Sequence, residues 1–290
     1  MNRAISTVAD VTIFLLFVGA AAAAVVHGVA LEPPDETNPA AEETELLAST
    51  TASVEYALAV SGEPPLWVTN ATARHGRTAH GTLAELLGEA AMSNATVDGV
   101  RLSTAGRAFE RAVGNETSAR LRERGQRHAV RVRWEPYRGA PVNATMRVGQ
   151  RPPPSAGVHA TTVTVPSPVA TVSEDASEAA ADDGYEGVAT VVAGAVVAGL
   201  FPPEQAQLAL DSDYPSNRLM ATRYHRMAAL TGADEPAVDD TSAADLNANL
   251  SAALASTVES DMRGRFDSPE AAAASVRVGT LSITVRTWSP

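Results

Sequence analysis

Twenty successive residues without a formal charge, Val11 to Ala30, constrain this chain more than any other feature. A run such as VTIFLLFVGAAAAAVVHGVA cannot be left in water. As a helix rising about 1.5 Å per residue it is about 30 Å long, the thickness of a bilayer's hydrocarbon core. Arg3 and the α-amine are the only positive charges before it, and LEPPDETNPAAEETE after it carries only acids. The positive-inside rule therefore puts the N-terminus in the cytoplasm and the body outside, as a single-pass cell-membrane protein. His27 falls near the outer interface, where a polar ring is tolerated.

Composition removes much chemistry. All 22 basic residues are arginine, so mechanisms that need an amine, such as the P-loop lysine or a Schiff base, are excluded. There is no cysteine, which removes disulfides, thiolate metal sites and thiol nucleophiles. With 45% hydrophobic residues the chain can bury a core. Its net charge of -12 argues against a nucleic-acid partner.

Four regions follow from the pattern: the N-terminal segment and membrane helix (1–30), an acidic Pro-rich spacer (31–50), an α+β region (51–172), and a mostly helical region ending in a C-terminal strand pair (173–290). Ser53 to Val60 alternates like a strand, as does His128 to Trp134, with Val130, Val132 and Trp134 opposite Arg131 and Arg133. Thr82 and Glu85 form a capping box before the stripe Leu83, Leu86, Leu87, Ala90 and Ala91. Ser103 to Val113 reads as a helix ended by Gly114, and Ser173 to Gly184 as a second acidic break. The apolar run Gly187 to Phe201 is too short for a comfortable span and reads as a buried core helix. Amphipathic helices are expected at Tyr214 to Leu230 and Ser242 to Met262. A change of parity at Gly279 suggests two C-terminal strand segments. The fold class is α+β: short antiparallel strands and amphipathic helices after an N-terminal transmembrane or assembly helix.

Five glycosylation sequons begin at Asn70, Asn94, Asn115, Asn143 and Asn249, and an outward-facing body would expose them. Residues 101–151 hold 12 Arg against 4 Glu, a local excess of positive charge, with Arg120, Arg122, Arg124, Arg127, Arg131, Arg133 and Arg138 beside Trp134 and Tyr137. The preferred reading is a solvated helix and strand that meet the chain's own acids, not a polyanion site. His75 and His80 are five apart, unlike a helical metal pair, and Pro215 spoils the calcium-loop likeness of Asp211 to Asn217. No catalytic residue, metal or cofactor is expected.

Arg3-Ala4 before Ile5, followed by Ser-Thr-Val8 and the apolar run, resembles the N-terminus of archaeal type IV pilins and their relatives. Such proteins carry a short basic leader cut at a small residue by a prepilin-type peptidase, and keep the apolar helix for assembly. The resemblance implies processing at Arg3, Ala4 and Ile5. Asp10 becomes an assembly acid at the sixth mature position, one beyond the fifth-position Glu of bacterial relatives. The lysine-free, acidic composition resembles that of haloarchaeal proteins, and the whole chain is similar to an uncharacterised haloarchaeal family associated with pilus-biogenesis genes. The function implied is a non-enzymatic cell-surface subunit of a pilus-like structure, with membrane, prepilin-type peptidase and pilin-like subunits as partners. The alternatives are a single-pass anchored surface glycoprotein with a binding role, and a secreted hydrolase.

Overall fold

The computed structural model describes residues 38–58, 75–123, 125 and 127–289. The expected membrane helix, Arg3, Ala4, Ile5, Asp10 and the sequon residue Asn70 lie outside the described residues. Asn38 opens the first helix, α1 (Pro39–Ser49): its side chain accepts from the Ala40 amide, and Pro39 takes the first helical turn where no amide is needed. A hairpin of β1 (Thr51–Leu58) and β2 (His75–Thr82) leads into α2 (Leu83–Met92). The capping box forms there, with the Thr82 amide and hydroxyl both bonded to Glu85. Two short strands, β3 (Thr96–Val97) and β4 (Val100–Arg101), precede α3 (Arg107–Arg122), and then come β5 (Arg127–Trp134), β6 (Val142–Gly149) and β7 (His159–Pro166).

The rest is helical until the end: α4 (Ser173–Asp182), α5 (Gly184–Leu200), α6 (Pro203–Leu210), α7 (Ser216–Thr231), α8 (Ala243–Arg265), α9 (Pro269–Ala274), then β8 (Thr280–Trp288). This last strand enters the six-stranded antiparallel sheet between β5 and β7, in the order β4-β3-β6-β5-β8-β7. The architecture is α+β with antiparallel sheets, and the larger sheet draws on both regions beyond residue 50.

One face of that sheet is the core. Val130, Val132 and Trp134 on β5, Met146 and Val148 on β6, and Leu281, Ile283 and Val285 on β8 are all buried. Helices α1, α2 and α3 cover this face. The fit of α2 depends on Gly88, where a Cβ would come within 2.9 Å of the Leu281 side chain. A second layer pairs α5 with α8, flanked by α4 and α9. The stripe Leu246, Leu250, Leu254, Val258 and Met262 of α8 is buried against it. A polar bond set closes the layer: Asn247 donates to the Phe201 carbonyl at 2.7 Å and accepts from the Tyr224 hydroxyl at 2.8 Å.

Helix α5 is the buried core helix expected for the Gly187–Phe201 run, with Val188, Val192, Val196 and Val197 fully covered. No single helix among the described residues is long and apolar enough to cross a membrane. Helices α5 and α6 reach that mark only together, bent by 45°.

Four local expectations change. The spacer reading of residues 31–50 fails for its described part, which is α1, because Ala40, Thr44 and Leu47 recur on one buried side. The acidic stretch from Ser173 is helix α4, not a break, because Ala176 and Ala180 give it an apolar edge. Gly114 does not end α3: Val113, Thr117 and Leu121 continue its buried stripe, which outweighs the roughly 1 kcal/mol cost of one helical glycine. The C-terminus forms one strand, not two. Val276 and Val278 are buried in the turn before it, and a Cβ on Gly279 would collide with Thr171.

Candidate functional site

Strand parity builds the most distinctive surface. Because Val130, Val132 and Trp134 face the helices, Arg131 and Arg133 must face the other way. The same logic turns Arg147 of β6 and Arg286 of β8 outward, since Met146, Val148 and Val285 are inward. Register then sets the spacing. Arg131 lies directly opposite Arg147 on one side and Thr284 on the other, and Arg286 opposes Ala129, one step along the same face. Beside them Thr284 and Thr162 share a 2.9 Å hydrogen bond. The face is thus a lattice of arginines and hydroxyls.

Its charge is poorly compensated. Arg133 pairs with Glu135 at 2.5 Å, but no acid among the described residues lies within 4.0 Å of Arg131, Arg147 or Arg286. Like charges directly opposite on neighbouring strands repel. The Arg131 guanidinium is accordingly pushed below its ordinary range, first by partial desolvation and then by Arg147, Arg133 and Arg286.

The arginine block read from residues 101–151 is therefore two things. Arg120 pairs with Glu116 on α3 and Arg101 with Glu110, as expected for charges that meet the chain's own acids. Of the outward strand arginines, Arg133 does so through Glu135, whereas Arg131, Arg147 and Arg286 do not. Arg286 escaped the local charge count because it comes from the far end of the chain. Its signal was the alternation Leu281, Ile283, Val285, which fixes position 286 as outward. Trp134 and Tyr137 are fully buried, so neither offers a stacking surface beside the arginines.

The sequons separate. Asn115 on α3 and Asn249 on α8 are exposed. Asn143 on β6 is half-buried, and its side chain accepts from Thr96 at 3.3 Å. Asn94 is a correction: it is 2% exposed, donates to the Ala90 carbonyl at 2.9 Å and accepts from Arg101 at 2.6 Å. A glycan on that nitrogen would displace the helix end it holds. His75 and His80 differ in parity along β2, and no group of three or more metal-ligating side chains assembles among the described residues. Asp211 and Asn217 line a groove of about 630 Å³ with Asp239 and Asp240, without converging as a cage.

A second polar cluster locks the sheet to α8. The buried Tyr137 hydroxyl donates to Asp261 at 3.0 Å, and Arg265 grips the same carboxylate at 3.1 and 2.8 Å. Burial, and then the Asp261 charge, push the Tyr137 ionisation well above the tyrosine range. The Arg265 hydrogen bond, against some desolvation, holds Asp261 below the usual carboxylate range. The signs give two limbs. Unfolded tyrosine loses its proton near pH ~10 while folded Tyr137 keeps it, so stability falls as pH rises past that point. Folded Asp261 stays ionised below pH ~4, so its contribution is present above that value and is lost as pH falls through the lowered pKa. Urea midpoints at pH 3, 7 and 11 should show both limbs. Tyr137→Phe should cost about 1 kcal/mol at neutral pH and reduce the alkaline limb. Tyr224, pushed to about 12 by burial, would keep part of that limb. An unchanged alkaline slope in Tyr137→Phe would refute the assignment.

The model of one protein family of unknown function matches residues 9–288. The chain belongs to that family, DUF7284. No curated protein and no solved structure matches it. The DUF7284 match runs from before the apolar segment to the end of β8, so both the Val11–Ala30 run and the arginine face lie within the family's span.

Proposed function

We propose that this DUF7284 protein is a non-enzymatic cell-surface subunit of a pilus-like structure, inserted in the membrane through its N-terminal helix. The observation that carries the reading is the pilin-like order of the N-terminal sequence, Arg3-Ala4 before Ile5 and then the uncharged run Val11–Ala30. A retained apolar helix leading into an α+β head with an antiparallel sheet is the arrangement that the pilin-like N-terminus implies. Helix α1 supports it further, because it opens the folded unit docked on β7 and β8.

A second reading, a membrane-anchored surface glycoprotein with a binding role, is favoured by the exposed Asn115 and Asn249. One experiment addresses both. Peptide mapping of the full chain from its native host should give a mature N-terminus at Ile5, and Arg3→Glu should leave the uncut precursor in the membrane. Added mass is expected at Asn115 or Asn249 and not at Asn94. An intact Met1 would favour the plain anchor, and a chain starting near Leu31 would overturn both readings.

A further inference from the structure

We infer that the arginine face of one copy docks against the acidic helix α4 of a second copy, a head-to-tail contact between identical chains. The inference deepens the pilus-like reading and rests on it for the idea of repeated subunits. Three guanidiniums, on Arg131, Arg147 and Arg286, stand on adjacent strands with no acid in reach among the described residues. With strands about 4.8 Å apart and residues about 3.4 Å apart along each, Arg147 and Arg286 span about 12 Å of the sheet face.

Helix α4 presents the complement. Glu174, Asp175, Glu178 and Asp182 are exposed, and their spacing puts all four within about 100° of the helix circumference. From Glu174 to Asp182 the stripe is about 12 Å long. None of the four has an ion-pair partner among the described residues. Helix α4 packs on α5 and α9, not on β5, β6 or β8, so the two charged surfaces are separate parts of one chain.

Length and sign match, and the matching surfaces differ. A contact between them is heterologous, and repeating it builds a ring or an open filament. The carboxylates would also relieve the Arg131–Arg147 repulsion. Guanidinium and carboxylate in hydrogen-bond contact remain within even the ~3 Å screening length of molar salt, where longer-range steering is lost.

The test is charge reversal in the full-length protein held in detergent micelles, with association followed by sedimentation. The wild type should self-associate with rising concentration, more tightly at low salt. Arg131→Glu with Arg147→Glu, and separately Glu174→Arg with Glu178→Arg, should each weaken association at least about tenfold. Mixing the two variants should restore it, because each then carries the surface the other lacks. Unfolded chains cannot produce that rescue, and Arg131→Gln with Arg147→Gln gives a milder check on the face alone. A wild type that stays monomeric, or variants that associate like the wild type, would overturn the contact. So would a monomer that binds dextran sulfate through the same arginines, which would assign the face to an external polyanion. Processing at Ala4 is read separately, so failure here is distinct from failure of the pilus-like reading.

Discussion

Replacing Trp134 by alanine is expected to lower the unfolding free energy by about 3–5 kcal/mol, a large share of a typical domain's stability. The indole is fully buried at the end of β5, and its Nε1 donates to the Val278 carbonyl at 2.7 Å. It thereby ties the central strand to the turn that delivers β8. The hydrogen bond is the smaller part of the effect: Ser167 also donates to Val278, at 2.6 Å, so truncation does not leave that carbonyl bare. Packing dominates, because the cavity opens where sheet and turn meet and the backbone cannot collapse into it. Urea denaturation of both proteins checks the value. A loss under about 1 kcal/mol would mean the site relaxes freely and the turn is not held by the ring.

Trp134 also marks where sequence reading succeeded and where it stopped. The alternation of β5 was legible because a half-buried strand repeats every two residues, and the same rule placed Arg131 and Arg133 outward. The capping box at Thr82 and Glu85 was legible because both partners are three residues apart. Partners 144 residues apart, such as Trp134 and Val278, leave no local trace. The arginine lattice needed the register between β5, β6 and β8, which a single chain's pattern does not encode. Helices α1 and α4 read as a spacer and a break because acids dominate their composition, yet a narrow buried edge, Ala40, Thr44 and Leu47 in α1 and Ala176 and Ala180 in α4, is enough once a partner helix or sheet covers it. The burial of Asn94 was equally hidden: a sequon is a local motif, whereas its exposure depends on how α2 ends and on Arg101 folding back.

Val192→Asp should be the most damaging substitution in the helical layer. Val192 is fully buried at the middle of α5, where α8 packs. A carboxylate there finds no cation and will hold its proton, so its folded pKa rises. At pH 7 the proton must be taken up against an ordinary value near ~3.9, which costs about 4 kcal/mol, and lost apolar burial adds about 2 kcal/mol. That sum approaches or exceeds the stability of many domains, so the variant should be largely unfolded at neutral pH. The pH dependence identifies the cause. A raised pKa means the folded state binds the extra proton, so stability is lost as pH rises above ~4 and partly recovers as pH falls toward that value. Val192→Ala shares the packing loss but not the pH dependence, and chemical denaturation of the pair at pH 5 and pH 8 separates the two terms. If α5 were a lipid-facing span instead, the aspartate would impair membrane insertion and leave the unfolding of the head untouched, because α8 would then have no valine layer to lose.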